Sequence, residues 1–219
     1  MLHSPRTVSE VMTHTAVAVG LEAPFKDIVA LMDQWKVSAL PVVEGEGRVI
    51  GVVSEADLLP KEEFRDSDPD RFTQLRRLTD LAKAGGLTAS DVMTTPAVTV
   101  HPDATLAQAA RIMAQRKVKR LPVVGAGGLL EGIVSRADLL KVFLRTDDDI
   151  SDEVRQEVVA PLFRSPTDTV RVEVSDGVVT LVGRVKDTSL VPVATRLVRA
   201  VEGVVDVQWN PPGAEASAG

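Results

Sequence analysis

The sequence predicts a mixed α+β protein: two repeated β-α-β-β-α units packed as a pair, followed by a smaller α-β-β-α-β domain. Three observations carry this. The chain aligns with itself at a shift of 81 residues, Val11 to Leu59 on Val92 to Leu140, with about 23 of 49 positions identical. Inside each copy the apolar period switches between helical and extended in one fixed order. After Asp147-Asp-Asp149 the pattern changes again, to valines that alternate with charged residues.

Composition narrows the function classes. The chain has 219 residues, 44% of them hydrophobic, a formal net charge of −6 and no cysteine. Without cysteine there is no disulfide framework, thiolate metal site or cysteine nucleophile. Apolar runs fall short of the roughly 18 residues of a spanning helix, and Met1 to Met12 lacks the apolar centre of a signal peptide, so a cytoplasmic location is expected. A negative balance and 3% aromatic residues argue against a nucleic-acid partner.

Each copy opens on a capping box, Thr7-x-x-Glu10 or Thr88-x-x-Asp91, whose side chains satisfy the free N–H groups of a short helix. An extended segment follows, Val17 to Val19 or Val98 to Val100. An amphipathic helix comes next, with Phe25, Ile28, Val29, Leu31 and Met32, or Leu106, Ala109, Ala110, Ile112 and Met113, on its apolar face. Leu40-Pro-Val-Val and Leu121-Pro-Val-Val read as strands with proline near the entrance, where a missing ladder donor is tolerated. Gly45-Glu-Gly47 and Gly125-Ala-Gly127-Gly128 turn each into a second strand, Val49 to Val53 or Leu130 to Val134. Ser54-x-x-Asp57 and Ser135-x-x-Asp138 open the closing helix. One copy is too small to cover both faces of its sheet, so the two should pack together.

The landmarks in tandem, Val-Met-Thr, Leu-Pro-Val-Val and Gly-x-x-Ser-x-x-Asp, resemble a pair of CBS domains, the cystathionine-beta-synthase type regulatory module. The resemblance spans residues 7–60 and 87–145, joined by a connecting helical segment, 61–86. That segment carries Phe72, Leu75, Leu78 and Leu81 at helical spacing and stops at Gly85-Gly86.

In the third segment, 150–210, Ser151 should cap a helix carrying Val154, Val158, Val159 and Leu162. Val170, Val172 and Val174 alternate into a half-buried strand, and Ser175-Asp-Gly177 turns it into Val178 to Arg184. Ser189 should cap a second helix with Pro192 in its first turn. Gly203 ends that helix, and Val204 to Trp209 returns as a strand. The Asp-Gly turn, Leu181-Val-Gly183 and Val201-Glu-Gly203-Val resemble a BON domain, a module that the family implies contacts phospholipid or a protein. With about 7 basic and 9 acidic groups over residues 151–210, attraction to anionic lipid should be weak. Residues 211–219 are rich in Pro, Gly, Ala and Ser and read as a disordered tail.

The Ser-x-x-Asp turns carry the chemistry. A serine beside free N–H groups at a helix start can receive a phosphate, and a carboxylate three residues on can accept hydrogen bonds from both hydroxyls of a ribose. The same spacing also makes an ordinary helix cap. The CBS resemblance implies ligand roles for Ser54, Asp57, Ser135 and Asp138, with the base against apolar residues including Val17 and Val98. Charge separates the copies: about 3 basic and 7 acidic residues in the first, about 6 and 3 in the second. Lys119, Arg120 and Arg136 in the second copy replace Ser38, Ala39 and Glu55 in the first. Phosphate should therefore prefer the second copy, while Ser38 and Ala39 suit a ligand with little charge.

Enzyme signatures are missing, so no activity is expected. His3, His14 and His101 are too scattered for a metal-ligand motif, no phosphate-binding Gly-x-x-x-x-Gly-Lys loop occurs, and Trp35 and Trp209 read as packing residues. The resemblance implies a non-catalytic regulator, with no required cofactor, that binds an adenosine nucleotide or S-adenosylmethionine and relays occupancy to the BON-like domain or a partner. It also implies a homodimer through the CBS helices. The alternative is a ligand-independent dimerisation scaffold whose BON-like domain does the binding.

Overall fold

The computed structural model describes residues 6–65 and 77–211. Phe72, Leu75 and most of the C-terminal tail lie outside them. The chain divides into two compact units, Arg6–Leu139 and the part from Leu140 onward.

In the first unit, α1 (Val8–Val11), β1 (Val19–Gly20), α2 (Phe25–Trp35), β2 (Ala39–Glu44), β3 (Arg48–Ser54) and α3 (Glu55–Leu58) form the first copy. Helices α4 (Pro60–Glu63) and α5 (Leu78–Gly85) belong to the connection. The second copy holds α6 (Ala89–Val92), α7 (Leu106–Arg116), β4 (Arg120–Val124), β5 (Leu130–Ser135) and α8 (Arg136–Leu140). The duplication survives in the hydrogen-bond register. Leu40 faces Val53 across β2–β3 and Leu121 faces Val134 across β4–β5, and both ladders are offset by a bulge between the two valines of the Pro-Val-Val run. β1 runs parallel to β2 through Val19 and Val42; in the second copy only a single bridge, Val100 to Val123, takes that place.

The opening helices are exchanged between copies. Val8 N donates to Ala104 O at 2.8 Å, while Ala89 N donates to Ala23 O at 2.9 Å and Ser90 N to Leu21 O at 2.9 Å. Thr13 pairs with Ile133 of β5, and Thr94 pairs with Val52 of β3. The first copy's core of Ile28, Met32, Leu40, Val42 and Val53 therefore includes Ala89 and Val92 from the second. Packing of one copy on the other is thus backbone pairing as well as apolar contact. Both predicted capping boxes form: Thr7 N donates to Glu10 at 3.1 Å and Thr88 N to Asp91 at 3.0 Å. Backbone donors from Leu87 and Thr88 hold the Asp91 carboxyl below its usual range. Three apolar assignments need correction, the first being Ala110, which is exposed on α7. Val29 is exposed on α2, and Trp35, expected to pack, is 53% exposed.

The second unit begins with α9 (Asp147–Glu153), which continues through a π-helical stretch, Val154–Val159, and a last turn, Ala160–Leu162. Strands β6 (Thr169–Ser175) and β7 (Val178–Arg184) form an antiparallel hairpin. After α10 (Leu190–Arg199), β8 (Asp206–Asn210) joins β7 in parallel. Asp176 and Gly177 both take positive φ, 51° and 74°, as a two-residue hairpin turn demands. The Asp147 carboxylate fastens that turn, accepting from Asp176 N at 2.8 Å and Gly177 N at 2.9 Å. Ile150, Val154, Val158, Val172, Leu181, Val198 and Val207 make the core, and Trp209 packs on Phe163 with ring centroids 6.0 Å apart.

Two caps differ from expectation. Thr146, not Ser151, caps α9, accepting from Asp149 N at 3.2 Å; Ser151 lies one turn inside, buried. At α10 the Ser189 side chain does not cap; it donates instead to Asp187 at 2.6 Å, and Asp187 also accepts from Ser189 N at 2.9 Å. These two bonds hold the Asp187 carboxyl below its usual range. At α9 the helix begins upstream of Ser151, which is therefore interior; at α10 Asp187 engages the Ser189 hydroxyl, which then donates to it instead of capping.

Candidate functional site

The strand-to-helix turns behave as the spacing requires. Ser54 N and Oγ donate to Asp57 Oδ2 at 2.8 and 2.6 Å, and Ser135 N and Oγ donate to Asp138 Oδ2 at 2.9 and 2.6 Å. Capping and ligand binding are thus not exclusive, since the cap uses one carboxylate oxygen. The dipole argument weakens, however. α3 has four residues and α8 five, so neither supplies much macrodipole, and a phosphate needs side-chain cations instead.

A cavity of about 260 Å³ lies between the copies, within the Arg6–Leu139 unit. From the first copy, Ser38 and Ala39 at the start of β2 and Ser54, Glu55 and Asp57 around α3 reach it. From the second come Thr94, Pro96 and Val98 of the exchanged opening segment, and Lys119 and Arg120 at the mouth of β4. Of the eleven candidates, the cavity gathers Ser38, Ala39, Ser54, Asp57, Val98, Lys119 and Arg120. Val17, Ser135, Arg136 and Asp138 do not line it. Arg136 instead holds its own copy's turn, through Nη2 to Val118 O at 3.1 Å and N to Lys119 O at 3.1 Å.

Charge at the cavity therefore comes from both copies. Lys119 and Arg120, expected to serve the Ser135–Asp138 pair, line the cavity that holds Asp57. The cavity is lined by the carboxylates Asp57 and Glu55, the cations Lys119 and Arg120, and apolar surface from Val52, Pro96, Val98 and Ile133. That lining suits a small molecule that carries vicinal hydroxyls, an anionic group and a flat apolar part.

Two residues that the motifs did not single out face Asp57. Its Oδ1 accepts from Thr94 Oγ1 at 3.1 Å and from Lys83 Nζ on α5, and Lys83 Nζ also donates to Thr94 Oγ1 at 3.1 Å. Thr94 could have been found, since it belongs to the repeated Val-Met-Thr and the opening segments had to go somewhere. Lys83 had no such signal, being one of several charges in a polar connection.

Comparison with known proteins agrees with this architecture. Residues 8–61 and 89–145 match the CBS domain family, and residues 146–210 match the BON domain family. Uncharacterized protein MJ1426 of Methanocaldococcus jannaschii is 31% identical over 134 residues, 54% of this chain and 80% of that protein. The chloroplastic CBS domain-containing protein CBSX2 of Arabidopsis thaliana is 32% identical over 132 residues, 54% of this chain, and the match spans 55% of CBSX2. The crystal structure of CBSX2 in complex with AMP gives a TM-score of 0.55 at 30% identity, covering 63% of this chain and 96% of that one. The chain belongs to the CBS domain family, as a tandem CBS pair followed by a BON domain.

Proposed function

We propose that this protein is a non-catalytic regulator whose CBS pair binds an adenosine nucleotide, AMP foremost, in the cleft between the copies. The observation that carries the reading is one cavity lined by Asp57 together with Lys119 and Arg120. The ribose hydroxyls go to Asp57, the phosphate to Lys119 and Arg120, and the base lies between Val98, Pro96 and the small side chains of Ser38 and Ala39. The AMP complex of CBSX2 supports the choice of ligand. Glu55 in the lining and a volume near the lower bound of small-molecule sites, about 300 Å³, favour one phosphate over three.

The second pair, Ser135 and Asp138, with Arg136 and Val17, is the counterpart half-site. Occupancy acts by population shift, favouring the arrangement of the two copies that binds nucleotide more tightly. The BON domain, or a protein partner, receives that signal. A homodimer forms through the helical face where Val29, Trp35 and Leu59 are exposed, Leu59 at 63%. The same exposed face favours a second reading, a dimerisation scaffold whose BON domain binds a protein or phospholipid without any nucleotide.

Calorimetric titration separates the two. AMP, ATP and S-adenosylmethionine are titrated into the parent, Asp57→Ala and Asp138→Ala. The expected result is AMP binding in the micromolar to millimolar range, weakened at least tenfold by Asp57→Ala, about 1.4 kcal/mol. Silence from all three compounds would favour the scaffold.

A further inference from the structure

Asp57 already has a full set of partners. A carboxylate offers about four acceptor sites. Here Ser54 N and Ser54 Oγ take Oδ2, while Thr94 Oγ1 and Lys83 Nζ take Oδ1. The ion pair is well shielded, with the Lys83 and Asp57 side chains 12% and 13% exposed. A ribose can reach this carboxylate only by displacing a donor, and Lys83 is the one not built into the local turn or the exchanged strand segment.

Helix α5 is itself pinned to α4. Lys61 Nζ donates to Ala84 O at 2.9 Å while lying 5.1 Å over the Phe25 ring. Arg77 pairs with Glu63 and Asp80 at the other end of the helix. At Gly86 a Cβ would come within 2.6 Å of Val92, so the connection is drawn tight against the exchanged helix α6. Shifted by 81 residues, Lys83 falls on Leu2, so the repeat carries no matching lysine for the second copy.

We infer that Lys83 is an internal competitor for the nucleotide's ribose: α5 closes the Asp57 half-site, and ligand must release Lys83 to bind, which loosens the connecting segment. The inference rests on the nucleotide reading above. It makes α5 the element that senses occupancy. The ammonium and the ribose hydroxyls compete for one oxygen, so apparent affinity falls by the fraction of molecules in which Asp57 is open.

The test is AMP titration of the full chain as parent, Lys83→Met and Lys83→Met/Asp57→Ala, with circular dichroism to establish folding. Hydrogen exchange over residues 78–85 is measured with and without AMP. Lys83→Met should tighten binding about tenfold, as when about one molecule in ten is open in the parent. The gain should vanish in the double variant, and AMP should speed exchange over α5. Equal or weaker binding by a folded Lys83→Met overturns the competitor and leaves the nucleotide site standing. Should Lys83→Met not fold, unchanged exchange over α5 in AMP-saturated parent overturns it equally. No binding by parent or variant removes both readings together. Binding by Lys83→Met alone supports the competitor directly.

Discussion

Asp57 divides its work between two oxygens: Oδ2 closes the capping box with Ser54, and Oδ1 turns to Thr94 and Lys83. A short polar motif can thus stabilise a turn and still present a carboxylate to a cavity. Ser151 shows the opposite case. It is buried inside α9, and its hydroxyl has no hydrogen-bond partner. An unmet buried hydroxyl costs about 1–3 kcal/mol, and alanine is the better helix former. Ser151→Ala should therefore stabilise the C-terminal unit by about 1 kcal/mol, seen as a higher midpoint in urea denaturation. A destabilised variant would mean that the hydroxyl has a role this geometry does not contain. At this scale the sequence was half legible. Ser-x-x-Asp announces both a cap and a site, but the identity of the cap at α9 depended on which of several nearby Thr, Asp and Ser side chains wins the free N–H groups.

Among elements, the exchanged opening segments explain a glycine in each copy. Gly51 and Gly132 open the repeated Gly-x-x-Ser-x-x-Asp, and each lies where the other copy's Met-Thr segment crosses a strand. A Cβ at Gly51 would come within 2.6 Å of Met93 Sδ and 3.1 Å of Thr94 O. At Gly132 it would come within 2.7 Å of Thr13 O. Backbone cannot yield as a side-chain tip can, so Gly132→Ala should cost about 1–3 kcal/mol, and Gly51→Ala somewhat less because flexible Met93 takes part of the strain. Thermal denaturation of both variants checks this, and an unchanged midpoint for Gly132→Ala would contradict the close crossing. The strands, turns and amphipathic helices were readable because their periods are local. The exchange was not, because period reports which face of an element is apolar and is silent on which copy covers it. Lys119 and Arg120 stay beside their own copy's Ser135 turn, where Arg120 faces Ser135, and also line the Asp57 cavity.

For the whole molecule, the duplication sets the architecture early. A doubled unit builds a cleft at its own seam, and divergence between the halves makes the cleft's two walls chemically different. No helix among the described residues is long and apolar enough to cross a membrane. The seam was foreseeable; the lysine paired with Asp57 was not, because Lys83 and Asp57 are 26 residues apart and share no pattern. The central claim is that a nucleotide lies in this seam with its ribose on Asp57. A crystal structure of the full chain grown with AMP tests it most directly. Density for the ribose within hydrogen-bond distance of Asp57 and for the phosphate at Lys119 and Arg120, with Lys83 withdrawn, is the predicted result. AMP bound elsewhere, or an empty cleft with Lys83 still on Asp57 at saturating AMP, would contradict it.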